Sequence, residues 1–447
     1  MPEIRPFRAW RYDTERAGDL GSLIAPPYDV ISPEQQRVLY ERNPYNVVRL
    51  ELAAPEASDP EGRAGESLRH ARAHATLQQW KEEGILRKDS EPAFYLYRQT
   101  FQYGGQSFER RSLLANVRLS SWSSGSILPH ERTLAAPRAE RLALLRAVNA
   151  NVSPIWALYE DYGRHIAHAI DTAIAAEPEM TVDSATADDG VAHSISPITA
   201  RPAVDAIRRA LVEHPLFIAD GHHRYETALA YRDEALIGAG PRDVGPRDFV
   251  MMVLTAVDDP GLVILPTHRL IHGLSADQLA QLPSALDRYF SGTRVDTPST
   301  PDDLPELIER LLASTGTGEP ANRFALLGAE SGRVLVLTPR DLAAAGVPPA
   351  PELANLDAWL AQSLVLEKCL GITAGQLERQ TYLTYTRDAR EAGQAVAQGK
   401  EQLALFLAAT PVGQLLAVAR AGAVMPQKST YFHPKPATGL ALRLLEP

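Results

Sequence analysis

The sequence predicts a mixed α/β protein, and three observations carry the prediction. Short apolar runs of strand length alternate with patterns of helical period along most of the chain. Two strand-like segments, 93–103 and 106–119, are joined by Gly104-Gly105, a dipeptide suited to a primed hairpin turn. From Leu216 to Arg232 an apolar run breaks at Asp220-Gly221 and a helical pattern opens at once, which reads as strand, tight turn and helix.

The elements follow in order. Residues 1–52 mix extended segments with a proline-rich loop, Ala25 to Val30. Ser32 as N-cap and Pro33 at the first helical position predict a helix over 33–41, and 47–52 reads as a strand. An acidic, proline-bearing surface loop covers 53–66. A helix then runs from about Glu66 to Glu83, with Leu68, Ala71, Ala75, Leu77 and Trp80 as its apolar stripe. After the hairpin, Leu142, Leu144, Leu145 and Val148 mark a helix over 138–149, and 155–159 is strand-like. Helices and strands alternate through 163–200. Strands at 249–256 and 262–266 flank Asp258-Asp259-Pro260-Gly261, a turn by composition. The region 275–400 reads as helix-rich, with proline-heavy joints near 296–305 and 347–351. A long helix over 388–409 and another over 411–421 precede the close of the chain.

Bulk properties narrow the function classes. A chain of 447 residues, 45% hydrophobic and 22% charged, is long enough for two or three domains. The net charge of −10 disfavours a large nucleic-acid footprint while leaving room for a local basic pocket. The single cysteine, Cys369, excludes an internal disulfide framework and sits in an apolar stretch expected in the core. The N-terminus lacks an apolar signal core, and no stretch approaches the roughly 20 apolar residues that cross a membrane. The expectation is a cytoplasmic protein.

Candidate chemistry centres on Asp220-Gly221-His222-His223-Arg224. Amides at a helix N-terminus have no partner within the helix, glycine lets backbone approach closely, and arginine offers a rigid fork of donors; together they suit a phosphate. The adjacent histidines are a poor metal pair, because successive helical residues point about 100° apart. Three further segments gather polar groups beside predicted strand ends. In Pro129-His130-Glu131, Glu131 can act as a general base on a hydroxyl or be an exposed loop residue. In Thr267-His268-Arg269, Arg269 can hold a phosphate or carboxylate or cap nearby carbonyls. Met425 to Lys435 offers Lys428, Ser429, Thr430 and Lys435, two ammonium groups and two hydroxyls in a proline-flanked loop.

Seven segments together resemble the DUF1015 family, an uncharacterised group: APPYDVI (25–31), RNPYNVVRLEL (42–52), LPHERT (128–133), NVSPIWALY (151–159), IADGHHRYETAL (218–229), ILPTHRL (264–270) and MPQKSTYFHPK (425–435). More distantly, Gly221-His222-His223-Arg224 is similar to the GxxR phosphate motif of the ParB/sulfiredoxin-like superfamily. Within that superfamily the order Pro129-His130-Glu131, Asp220 to Arg224, Lys428-Ser429-Thr430 resembles the free-serine kinases. The resemblance implies a ParB/sulfiredoxin-like nucleotide-binding core over 120–274; residues 1–119, which have no counterpart in it, are expected to form an N-terminal α+β domain, the helix- and breaker-rich 275–400 an accessory subdomain, and 401–447 a C-terminal segment returning to the active site. It implies a phosphotransferase using ATP or ADP with Mg2+, acting on a small hydroxylated metabolite, with free L-serine foremost. Glu131 would be the base, with His130 and Asp220 beside it. Gly221, His222, His223, Arg224, Lys428, Ser429, Thr430 and Lys435 would hold phosphates, and Asp220 would bind Mg2+ directly or through water. Tyr28, Asp29 and Asn46 either shape an acceptor pocket, with His268 and Arg269, or pack the N-terminal part.

Two other classes compete. A nucleotide-sensing binding module would need no transfer step, and a DNA-bound version lacks a recognisable helix-turn-helix. A sulfiredoxin-like repair enzyme needs a cysteine in the phosphate motif, where this chain has His222.

Overall fold

The structure is a computed structural model describing all residues except 132–134, 177–182, 188, 235–243, 314–321, 347, 349 and 447. Arg132 and Thr133 of the Pro129-His130-Glu131 loop therefore lie outside the described residues. The chain forms two compact units: Met1–Val263 together with Pro434–Pro447, and Ile264–His433.

The first unit is built on a nine-stranded mixed sheet among the described residues. Its strands are β1 (Ile4–Arg5), β2 (Phe94–Tyr103), β3 (Gln106–Arg118), β4 (Ile127–Leu128), β5 (Ile155–Tyr159), β6 (Asp183–Thr186), β7 (Ala192–Ile198), β8 (Leu216–Asp220) and β9 (Phe249–Ala256). Their order is β4-β8-β5-β9-β3-β2-β7-β6, with β1 paired to β3. The pairs β4/β8 and β5/β9 are parallel and the others antiparallel. The β2–β3 hairpin turns at Gly104 and Gly105, both at positive φ (55° and 75°), which a primed turn requires. Strands β5, β8 and β9 read as near-continuous apolar runs because both sheet faces are covered. Helices α1 (Pro33–Arg42), α2 (Arg63–Glu82), α3 (Ala135–Val148), α4 (His165–Ala176), α5 (Arg201–Leu211) and α6 (His222–Glu234) accompany the sheet. The core joins Phe94, Leu113, Ile155, Ile218, Met252 and Tyr225 with the apolar faces of α4 and α5.

The expected boundary at 119/120 does not coincide with the units. β3 pairs with both β2 and β9, so residues assigned to an N-terminal part and to a core share one sheet. The expected strand over 47–52 is instead a one-turn helix, Val48–Glu51. Buried Asn46 sets it up by accepting from the Val48 amide (3.0 Å) and donating to the carbonyls of Ser22 and Ile24. That assigns Asn46 to packing.

The second unit holds a six-stranded sheet among the described residues: β10 (His268–Ile271), β11 (Phe290–Asp296), β12 (Phe324–Glu330), β13 (Arg333–Pro339), β14 (Leu383–Thr386) and β15 (Leu403–Phe406), ordered β11-β13-β12-β15-β10-β14. Four of these strands fall in the region expected to be helix-rich, a correction traceable to the β12–β13 hairpin and its apolar face. The expected long helix over 388–409 stops at Ala397. Gly399 (φ +68°) caps it and the chain re-enters the sheet as β15. Cys369 is buried, as expected of a core residue, and burial pushes its thiol up to about 12. No helix among the described residues is long and apolar enough to cross a membrane.

Candidate anion-binding site

Strand register explains why three distant sequence segments meet. β4 runs parallel to β8, pairing Ile127 with Leu216 and Leu128 with Phe217, so the His130 loop and the Asp220-Gly221 turn leave the sheet at the same edge. β5 runs antiparallel to β8, which brings Pro154, just before β5, to that edge too. A register shift between Ile218 and Asp220 re-aims the end of β8.

Gly221 has φ +93°, a conformation that glycine alone adopts readily, and α6 begins at the next residue. A Cβ at Gly221 would lie 3.0–3.1 Å from Nε, Cζ and NH2 of Arg224, so the missing side chain makes room for the guanidinium. Arg224 donates through NH2 to Asp220 Oδ2 (2.5 Å) and through NH1 to the carbonyl of Pro154. Lys435 Nζ pairs with Asp220 Oδ1 (2.6 Å) and with Asp29. The backbone around Lys435 is fixed by β2 and β3: Gln99 donates to the Lys435 carbonyl (3.2 Å) and buried Arg110 donates to that of Pro434. Asp220 is thus held between two cations from segments more than two hundred residues apart in sequence. Burial opposes its charge, but Lys435 and Arg224 outweigh burial and hold the carboxyl well below the usual range.

Two histidines close the site on the β4 side. The Ile218 carbonyl lies 2.8 Å from His130 Nδ1 and accepts its proton, while the His130 amide donates to His222 Nε2 (3.3 Å). The two rings meet edge to face with centroids 4.7 Å apart. Burial pushes His130 down to about 4 and His222 well below its ordinary range, so both are neutral near pH 7. An unfolded histidine titrates near 6.5, so between there and about 4 the unfolded chain binds more protons than the folded one. Stability therefore falls as pH falls through that window, by up to about 1.4 kcal/mol per pH unit for each such histidine. Urea titrations at about pH 7 and about pH 5 should show a lower midpoint in acid, and His130→Gln should flatten the difference.

Sequence reasoning missed two members, Glu51 and Arg141. Arg141 NH1 donates to the Glu51 carbonyl (2.9 Å) and lies 3.5 Å from its carboxylate, while Nε and NH2 grip Glu140 (2.5 and 2.6 Å). The Arg141 guanidinium also lies over the Tyr28 ring at 4.1 Å. Burial pushes the Tyr28 hydroxyl up to about 12, and Arg224 and Arg141 counteract it. The only hint in the sequence was Glu51 inside the segment RNPYNVVRLEL, where the strand expectation hid it.

The structure therefore brings Tyr28, Asp29, His130, Asp220, Gly221, His222, Arg224 and Lys435 into one cluster. His223 is half-buried on the first turn of α6, and Glu131, also half-buried, directly follows His130. The other sequence candidates belong to the second unit. There Lys428 is exposed at φ +56°, Ser429 Oγ donates to Pro426 (2.6 Å), Thr410 donates to the Ser429 carbonyl (2.8 Å), and Thr430 is half-buried. Buried His268 Nδ1 accepts from the Leu407 amide (3.4 Å), and buried Arg269 donates to Thr267 and lies over Tyr385. Both Asp220 oxygens are engaged by cations, so Asp220 does not fit a direct magnesium ligand. Among the described residues no group of three or more His, Cys, Asp or Glu is placed to hold a metal.

Sheet and cluster define a mixed α/β protein with a candidate anion site at one sheet edge. The chain belongs to the family described as "Protein of unknown function (DUF1015)", whose model matches residues 4–359. No curated protein matches the chain. Among solved structures it is similar to a free serine kinase in complex with AMP (12% identity, TM-score 0.35, covering 72% of this chain and 86% of that one). It is also similar to a conserved hypothetical protein from Pyrococcus furiosus (11%, TM-score 0.35, 74% and 95%). A third is SbnI with C-terminal truncation from Staphylococcus aureus (12%, TM-score 0.35, 74% and 87%).

Proposed function

We propose that this protein is a nucleotide-dependent phosphotransferase acting on the hydroxyl of a small metabolite, with ATP or ADP as donor and free L-serine as the first acceptor to test. The observation that carries the reading is the convergence of Arg224 and Lys435 on Asp220, at the N-terminus of α6 and across a glycine that leaves the guanidinium room. Phosphoryl transfer asks mainly for positioning and positive charge around the transferred group, and a helix N-terminus with two cations supplies both. An incoming phosphate competes with Asp220 and Asp29 for the same donors. Glu131 leaves β4 at the same sheet edge and is assigned the base that takes the acceptor's proton. Magnesium, in this reading, arrives with the nucleotide.

The test is incubation of the full chain with Mg2+, ATP or ADP, and L-serine, with O-phosphoserine read by mass spectrometry. Glu131→Gln is expected to lower turnover by at least about 100-fold while nucleotide affinity, read by calorimetry, stays unchanged. Turnover near the unmodified level in that variant removes Glu131 from the reaction. Nucleotide binding with no product from any hydroxylated acceptor favours the sensing module instead.

A further inference from the structure

Tyr28 stands beside the anion cluster, and the fold fixes it from three sides. Its backbone follows Pro26-Pro27 and closes in one tight turn, Tyr28–Val30, where the Ile31 amide donates to the Tyr28 carbonyl (3.3 Å). Ala25, three residues earlier, exchanges two backbone hydrogen bonds with Thr438 (3.1 and 2.8 Å), and Asp29, the next residue, pairs with Lys435. The loop is therefore tied to the C-terminal segment that carries the second cation. The Tyr28 ring lies on the face of Arg141, whose guanidinium directs its in-plane donors at Glu140 and Glu51 and so holds the ring without engaging the hydroxyl.

Two polar groups in this cluster stay unsatisfied. The Tyr28 hydroxyl makes no hydrogen bond among the described residues, whereas Tyr12 and Tyr225 donate theirs to the carbonyls of Tyr45 (2.8 Å) and Ser120 (2.7 Å). Arg224 Nε is buried and likewise has no acceptor among the described residues. A Cβ at Gly221 would stand 3.0 Å from that nitrogen, so the glycine leaves room beside it. Tyr28 and Arg224 lie close enough for the guanidinium charge to act on the phenol. A donor left unmade at such a place is costly, and two in one cluster call for an acceptor that the chain itself does not supply.

We infer that Tyr28 is a ligand-binding residue of the anion site, its hydroxyl donating together with Arg224 Nε to the oxygens of a bound phosphate group. The inference rests on the phosphate site of the phosphotransferase reading and adds a neutral donor to a site otherwise built from charge. A phenol contributes a directional hydrogen bond without net charge, so it selects by position where Lys435 selects by sign. Burial, with the carboxylates of Asp29 and Glu51, outweighs Arg224 and Arg141 and pushes the phenol up to about 12, so it remains a donor throughout the neutral range. The donor also comes from residues 1–119, the part of the chain that the kinase resemblance leaves without a counterpart.

Tyr28→Phe keeps the ring on Arg141 and removes one oxygen. In calorimetry on the full chain, affinity for ADP and for inorganic pyrophosphate is each expected to fall about tenfold, the weight of one hydrogen bond to a charged acceptor. Without ligand the variant should melt no lower than the unmodified protein, because the lost hydroxyl leaves no partner behind; a purely structural tyrosine would not give that combination. A loss confined to ADP, with pyrophosphate bound as before, sets Tyr28 against the nucleoside and overturns the inference. Unchanged affinity for both ligands also overturns it and leaves the charged phosphate site standing. If the unmodified chain binds neither ligand, the inference and the phosphotransferase reading fall together. The tenfold loss on both ligands, with no product from any hydroxylated acceptor, supports Tyr28 as a phosphate contact while removing the transfer step.

Discussion

Replacing Lys435 with methionine is expected to destabilise the first unit by about 3 kcal/mol near neutral pH, because it strands charge that the fold has buried. The Lys435 side chain is 10% exposed and that of Asp220 is 15% exposed, and the ammonium bridges Asp220 and Asp29. Methionine keeps most of the aliphatic stem and removes only the cation, so the effect reports electrostatics rather than packing. Arg224 still holds one Asp220 oxygen, which keeps the cost toward the lower end for a broken buried pair. The pH dependence fixes the mechanism. Asp220 titrates well below the ordinary carboxylate range when folded, so its contribution is fully present above that range and is lost only as pH falls through the lowered value. Without Lys435 that carboxyl moves upward. The difference between variant and parent should therefore shrink between about pH 7 and about pH 4 as protonation relieves the stranded charge. Urea unfolding at both pH values measures it; a deficit that does not change with pH assigns the loss to packing.

Much of this arrangement was legible in the sequence wherever local chemistry decides structure. The apolar run before Asp220-Gly221 gave the strand and the turn, and the Ser32–Gln35 capping box starts α1 at the expected place. What failed was context. The Val47–Leu52 segment carries β-branched residues that favour a strand, yet Asn46 nucleates a helical turn there through hydrogen bonds to residues over twenty positions earlier. Gly399 was the signal that the helix after Asp388 ends, and the apolar stretch beyond it is a buried strand instead. Glu51 and Arg141 meet across ninety positions, and no periodicity encodes an ion pair of that span. The phosphate motif could be read because a strand, a glycine and a helix N-terminus are neighbours in sequence. Its second cation, Lys435, is held by backbone contacts to Gln99 and Arg110 that only the fold supplies.

Arg224→Lys should separate charge from geometry, and the largest loss of ligand affinity is expected here. The substitution keeps a positive charge beside Asp220, so thermal stability should change little. What it removes is the planar fork. Arginine serves Asp220 through one terminal nitrogen and Pro154 through the other, with its plane lying over Gly221 where a Cβ would come within 3.1 Å. A lysine ammonium sits at one point and cannot span the end of β8 and the start of β5 together. If the site holds a phosphate through that fork, nucleotide affinity should fall by about 100-fold, the weight of lost bidentate, charge-assisted hydrogen bonds. Calorimetry with ADP and with ATP reads it directly, and circular dichroism confirms that the fold is kept. Unchanged affinity in a folded Arg224→Lys protein would falsify the fork as the phosphate anchor, leaving Arg224 as a strut between β5 and β8. The contrast with Lys435→Met is the informative part. Lys435→Met should cost stability along with binding, whereas Arg224→Lys should cost mainly binding, because Lys435 neutralises two buried carboxylates and Arg224 presents a shape.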